Sequence, residues 1–182
     1  MKKIFYVILA ISLFFACESD DICDSGTPTT PKVVIQFFNF DNQGLTKNVT
    51  NLKIIADGMT DGIILTPGAI APASEFLLNN ASIVKIPLKI DVDTTTFSFI
   101  LNANATNGST STDIIRFNYQ RTNEFVSRAC GYRTFFKFQN PLAAPFVINS
   151  NANATSGNWI KNLQIINTII NDETTTHIKI FI

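Results

Sequence analysis

Four arginines, Arg116, Arg121, Arg128 and Arg133, fall within 18 residues of a 182-residue chain that has no other arginine. A guanidinium offers planar, paired donors that suit phosphate or carboxylate better than an ammonium does. A short turn at Gln120 to Asn123 would put Arg121 near a hairpin tip and Arg116 and Arg128 on one face, so these three are a candidate anion-binding site. The alternative is a solvated strand face whose arginines pair with Asp113 and Glu124. Acid–base or nucleophilic chemistry has less to work with, because it calls for a positioned histidine or paired carboxylates. His177 is the only histidine, and its alternation with Ile178 and Ile180 puts it on the wet face of a last strand. Asp91 and Asp93 share one side of an extended segment, and Asp57 and Asp61 stand beside Gly58 and Gly62. Neither arrangement has the spacing of a full calcium loop, and both read as turns. No catalytic residue, metal or cofactor is assigned, and an enzyme is not expected.

The thiols carry more. Lys2 and Lys3 precede an apolar run from Ile4 to Phe15 that is broken only by Ser12. That run is well short of the ~20 residues of a membrane-spanning helix and reads as an export signal. Phe14-Phe15-Ala16-Cys17 then resembles the lipobox of bacterial lipoproteins, in which the thiol is lipidated and cleavage leaves cysteine first. Phe15 is bulkier than usual for its place, and Phe14 stands where leucine is common. The resemblance makes residues 1–16 the signal and Cys17 the lipidated residue; ordinary secretory cleavage with Cys17 left as a thiol is the alternative. With Cys17 acylated, Cys23 and Cys130 remain as the pair of an exported chain, where oxidising conditions favour a disulfide. Zinc competes poorly there, since two sulfurs beside Asp21 and Asp24 lack a histidine. Glu18, Asp20 and Asp21 resemble the acidic export signal of Bacteroidota lipoproteins, and Asp93-Thr94-Thr95 resembles the O-glycosylation sequon of the same phylum, which marks Thr94.

The elements that must position these groups read as strands. Sixteen phenylalanines, two methionines and abundant Ile, Val and Thr favour extended structure, and 15% charged residues leave enough apolar side chains for a core. Val84, Ile86, Leu88 and Ile90 alternate with Lys85, Pro87 and Lys89, a half-buried strand that Pro87 assigns to an edge. The same period recurs at Phe97 to Leu101, Ile115 to Tyr119, Phe136 to Phe138 and Ile178 to Ile182, while Val33 to Phe40, Leu52 to Ala56 and Trp159 to Ile170 complete the set, the last with a bulge or break. Turn-rich links and the absence of a helical stripe predict an antiparallel β-sandwich of about seven to nine strands over residues 32–182, with residues 17–31 as anchor and tether. Asp57 to Ser82 and Asn140 to Ile148 are too apolar for plain loops; each is expected to hold an extra short strand, and a binding rim is the alternative. Without Lys2 and Lys3 the acidic side chains slightly outnumber the basic ones, so nucleic acid is not expected as a partner.

Asp21-Ile22-Cys23-Asp24, Lys47-Asn48-Val49-Thr50-Asn51-Leu52, Ser127-Arg128-Ala129-Cys130-Gly131-Tyr132 and Asn158-Trp159-Ile160 together look like a family of small flavobacterial lipoproteins of unknown function. The resemblance spans nearly the whole mature chain and implies an outer-membrane location on the periplasmic or the outer face. It implies no ligand. A lipid-anchored, non-enzymatic module that binds an envelope protein or glycan is therefore expected, with a structural or assembly subunit as the alternative.

Overall fold

The computed structural model describes residues 22–24, 26–27, 29–69, 72–139, 143–151 and 154–182. The leader, Cys17 and the acidic residues Glu18, Asp20 and Asp21 lie outside the described residues. Among the described residues, regular structure is β apart from one 3-10 turn at Pro72–Phe76. In chain order the strands are β1 (Val33–Phe38), β2 (Leu52–Ala56), β3 (Leu77–Leu78), β4 (Ile83–Ile86), β5 (Thr94–Leu101) and β6 (Ser111–Asn118). Then come β7 (Gln120–Ser127), β8 (Gly131–Lys137), β9 (Phe146–Ile148), β10 (Asn162–Ile165), β11 (Ile169–Ile170) and β12 (Ile178–Phe181). The chain divides into two compact units, a small one holding residues up to Thr29 with Asn123–Arg133 and a large one holding Thr30–Thr122 with Thr134–Ile182. Strands β7 and β8 each cross that boundary.

Three sheets build the sandwich, ordered β10-β12-β1-β4, β3-β2-β5-β6-β9 and β11-β8-β7. Twelve strands exceed the expected seven to nine because β3, β9 and β11 are two- or three-residue pieces. Two of those pieces are the short strands expected inside the long apolar connections. β4 is an edge, as Pro87 requires. The expected long strand from Trp159 breaks between β10 and β11, which belong to different sheets. One pairing departs from the antiparallel expectation: β1 lies parallel to β12, with Ile35 opposite Ile178 and Phe38 opposite Phe181.

Within the large unit, the period-two faces meet in one core. Ile35, Phe37 and Ile180 come from the first sheet, Ile54, Phe97, Phe99 and Phe117 from the second, and Phe136 and Ile170 from the third. Aromatic contacts join them, Phe37 with Trp159 at 6.3 Å and Tyr119 with Phe136 at 5.3 Å and nearly perpendicular. Burying such a ring is worth about 2–3 kcal/mol, so each phenylalanine removed weakens the joint between sheets.

Alternation fails where the chain changes sheet. Phe117, Asn118 and Tyr119 are all buried, and β6 passes through Tyr119 almost directly into β7 of another sheet. The expected hairpin at Gln120 to Asn123 is therefore absent. Its place is taken by the β7–β8 turn at Arg128 to Gly131, where Gly131 has φ of +71° and Ser127 Oγ accepts the Cys130 N–H at 3.0 Å. At the crossing, the Tyr119 hydroxyl donates to the Lys89 carbonyl at 2.9 Å and lies 2.6 Å from Thr95 Oγ1, which accepts the Lys89 N–H. With the tyrosine proton so committed, the Thr95 hydroxyl is the donor to Tyr119, and every polar atom of the knot is satisfied.

Candidate binding site

The loop after β2 is shaped by backbone contacts rather than by side-chain bulk. Ile63 N–H donates to the Ile54 carbonyl at 2.8 Å, and Gly62 adopts φ of +101° so close to that oxygen that a Cβ would fall 2.8 Å from it. Only glycine fits this bend without strain. Farther on, the Leu65 and Thr66 N–H groups both donate to the Glu75 carbonyl, Thr66 Oγ1 to the Leu77 carbonyl, and the Gly68 N–H to Glu75 Oε1. So braced, the loop buries Ile63 but leaves Met59 47% and Ile64 53% exposed. Met59, Ile64, Phe76 and Pro87 line an apolar hollow of about 540 Å³, with Lys32, Lys85 and Asp61 around it. That volume takes an apolar side chain or the C–H face of a sugar ring.

Glu173 sets the charge near this hollow. Its carboxylate accepts the Lys32 N–H at 2.9 Å and meets Lys85 Nζ at 3.2 Å. Partial burial pushes its pKa up, but the bonds to Lys32 and Lys85 and their charges outweigh that and hold it below the ordinary glutamate value. The sequence suggests a short strand within Asp57 to Ser82, with a binding rim as the alternative; β3 at Leu77–Leu78 is that strand, and Met59 and Ile64 are the exposed apolar residues of the loop before it. Lys32, Lys85 and Glu173 carried no comparable signal, because nothing local links residues so far apart in the chain.

The predicted residues fall in several places. Cys23 and Cys130 are joined as a disulfide. Arg121 is the second residue of β7, not a hairpin tip; it binds Asp93 at 2.6 Å and the Ile90 carbonyl at 2.5 Å. Arg116 is exposed on β6 beside Thr96 and Val147, and Arg128 is exposed in the β7–β8 turn. Of the two carboxylates expected to pair with arginines, Glu124 does and Asp113 does not. Glu124 pairs with Arg133, and Asp113 is fully buried, accepting from Asn149 Nδ2 and from the Asn158, Trp159 and Ile160 N–H groups. Thr94 is the exposed first residue of β5. Trp159 and Tyr119 are core residues, while Tyr132 is 70% exposed.

His177 corrects the reading of a wet face. It does lie opposite Ile178 and Ile180, but that face is covered here: Val34, Phe38 and Phe181 are buried on it, and His177 is 0% exposed. Asp172 and Glu173 lie close enough to act on it electrostatically, and their segment is held by Glu173 on the Lys32 N–H and by Thr176 on Gln36. Nδ1 accepts the Val34 N–H at 3.0 Å, so the proton resides on Nε2, which has no partner among the described residues.

The described residues define an all-β sandwich with a disulfide-bridged hairpin. The chain belongs to a family of unknown function, DUF6452, whose model matches residues 51–182. No curated protein and no solved structure matches it.

Proposed function

We propose that this protein is a non-enzymatic lipoprotein of the flavobacterial envelope, anchored through Cys17 in the outer membrane, that binds a protein or glycan through the hollow beside Met59, Ile64 and Phe76. The observation that carries the reading is the braced loop: backbone and side-chain bonds hold it in a shape that leaves the large apolar side chains of Met59 and Ile64 about half exposed, a cost of roughly 1 kcal/mol each that a bound partner recovers. The Cys23–Cys130 bridge supports an oxidising compartment, in line with the export signal. The burial of the only histidine and the structural engagement of Asp113 support binding rather than catalysis. A structural or assembly subunit is the second reading, favoured by the apolar rather than polar lining of the hollow.

A glycan array and an envelope pull-down, run with the processed wild-type protein and with Ile64→Glu, test the proposal. Loss of a glycan or protein signal in the variant supports the hollow as the site. A stable protein partner without a glycan signal selects the assembly reading. Equal recovery by both proteins removes the hollow from either role, and hydrolysis of envelope material by the purified protein overturns both.

A further inference from the structure

The small unit carries exposed aromatic groups that the sandwich core does not use. Phe125 on β7 and Tyr132 on β8 are 56% and 70% exposed, yet their rings meet edge to face at 5.4 Å between centroids. Ile22, next to the disulfide, is 81% exposed. Arg128 stands exposed in the turn between the two strands. Glu124 neutralises Arg133 on the neighbouring strand. The described residues of this unit therefore carry equal numbers of acidic and basic groups, Asp24 and Glu124 against Arg128 and Arg133.

We propose that the end of the β7–β8 hairpin, through Phe125, Tyr132, Arg128 and Ile22, lies in the headgroup layer of the bilayer that holds the Cys17 lipid. This inference rests on the anchoring reading above. The disulfide supplies the geometric argument. Cys23 is fixed to Cys130 at the end of the hairpin, and only five residues separate it from Cys17. Six extended steps span at most ~20 Å, so the aromatic pair cannot leave the neighbourhood of the membrane surface. A leash of that length also holds the hairpin at millimolar effective concentration, where even weak burial of a few side chains is enough to seat it. The chemistry fits one occupant. Tyrosine partitions to the level of the headgroups with its ring in the acyl boundary and its hydroxyl in water, phenylalanine and isoleucine enter the apolar side, and a guanidinium pairs with phosphate. Electroneutrality of the described part, with Glu18, Asp20 and Asp21 in the tether, favours zwitterionic rather than anionic phospholipid.

The test uses the full processed protein in phosphatidylcholine vesicles that contain a nitroxide-labelled phospholipid. Trp159 is the only native tryptophan and is 7% exposed, so the wild type supplies the baseline. Phe125→Trp and, separately, Tyr132→Trp each add one reporter at an exposed site, where the core is untouched. Intact mass of the same samples reads the acyl chains and the bridge. Acylated protein whose added emission falls about twofold or more on including the nitroxide, at both positions, supports the proposal. Acylated, bridged protein whose added emission is unaffected overturns it while leaving the anchor in place. Protein without acyl chains overturns the anchoring reading, and the hairpin inference falls with it. A co-purifying chain that shields the reporter from an aqueous quencher, without nitroxide quenching, assigns the surface to a protein and also overturns the lipid proposal.

Discussion

Replacing Asp113 by asparagine is the most direct probe of what holds the segment before β10 in place. The carboxylate is fully buried: Oδ1 accepts from Asn149 Nδ2 at 2.8 Å and the Asn158 N–H at 2.6 Å, and Oδ2 accepts from the Trp159 and Ile160 N–H groups, each at 3.0 Å. An asparagine side chain has one oxygen, so whichever way it turns its NH₂ faces two of these four donors. The two unmatched donors are buried if they are those of Trp159 and Ile160 and part-buried if they are those of Asn149 and Asn158. At about 1–3 kcal/mol each they predict a loss of roughly 2–6 kcal/mol, toward the lower end when the oxygen stays on Trp159 and Ile160. With a urea slope near 2 kcal/mol per molar, the midpoint should fall by roughly 1–3 M. The consequence extends to Trp159, whose Nε1–H donates to the Phe99 carbonyl at 3.1 Å only while its backbone is held there. The pH dependence has a defined sign. Burial pushes the Asp113 pKa up, but the four hydrogen bonds together outweigh it and leave the carboxyl below its ordinary value. Its contribution is therefore complete above the unfolded value of about 3.9 and is lost as pH falls through the folded value. Asp113→Asn should remove this part of the acid limb as well as lowering stability at pH 7. A variant within about 0.5 kcal/mol of wild type, with an unchanged acid limb, would refute the reasoning.

Four further outcomes are expected. His177 is held neutral: burial pushes its pKa below the ordinary value, while Asp172 and Glu173 pull it part of the way back. Its contribution is complete above pH ~6.5 and is lost as pH falls toward the folded value, so denaturation midpoints measured from pH 7 to pH 5 should decline in the wild type and decline less in His177→Asn, which keeps an acceptor for the Val34 N–H. Gly157→Ala would set a Cβ 2.2 Å from Asp113 Oδ1 and should cost about 1–3 kcal/mol in urea unfolding; a neutral result contradicts the close approach. Tyr119→Phe removes the hydroxyl shared by Thr95 and Lys89 and should cost about 0.5–1.5 kcal/mol, seen as a lower melting temperature without loss of the fold. Cys23→Ser with Cys130→Ser opens a crosslink spanning 107 residues; the chain-entropy limit is about 4–5 kcal/mol, and a melting temperature equal to wild type would place the bridge outside the cooperative unit.

Strand faces were legible because a period of two needs only neighbouring residues. Val84, Ile86 and Leu88 are buried beside Lys85 as their alternation requires and Pro87 correctly marks an edge, but β4 ends at Ile86 and Ile90, expected on the same buried face, is exposed because the chain has left the sheet there. Sheet membership was not legible, since β6 and β7 belong to different sheets although one residue separates them. The buried triplet Phe117-Asn118-Tyr119 was the local sign of the crossing, while Gly131 after Cys130 was a better turn signal than the glycine-free Gln120 to Asn123. His177 was assigned its strand face correctly and its environment wrongly, because what packs over a strand face does not show in alternation. The apolar rim at Ile63 to Leu65 could be read from composition, but its charged neighbours could not. Asp113 escaped because its partners are mostly backbone N–H groups, which every residue except proline offers and no sequence pattern advertises.

The parallel pairing of β1 with β12 imposes an order of assembly. β1 is the first strand of the described chain, is buried at five of its six positions, and sits between β12 and β4. Its contacts with the last strand span well over a hundred residues; Val34 and His177 are 143 apart. A chain synthesised N-terminus first would thus present β1 long before β12, the strand that completes its sheet. Closure of this sheet becomes a non-local event that waits for β12, and until then a strongly apolar strand stands open to wrong pairings. Premature stops that spare every loop but delete β12 should for that reason act as aggregation mutations rather than as small losses of stability.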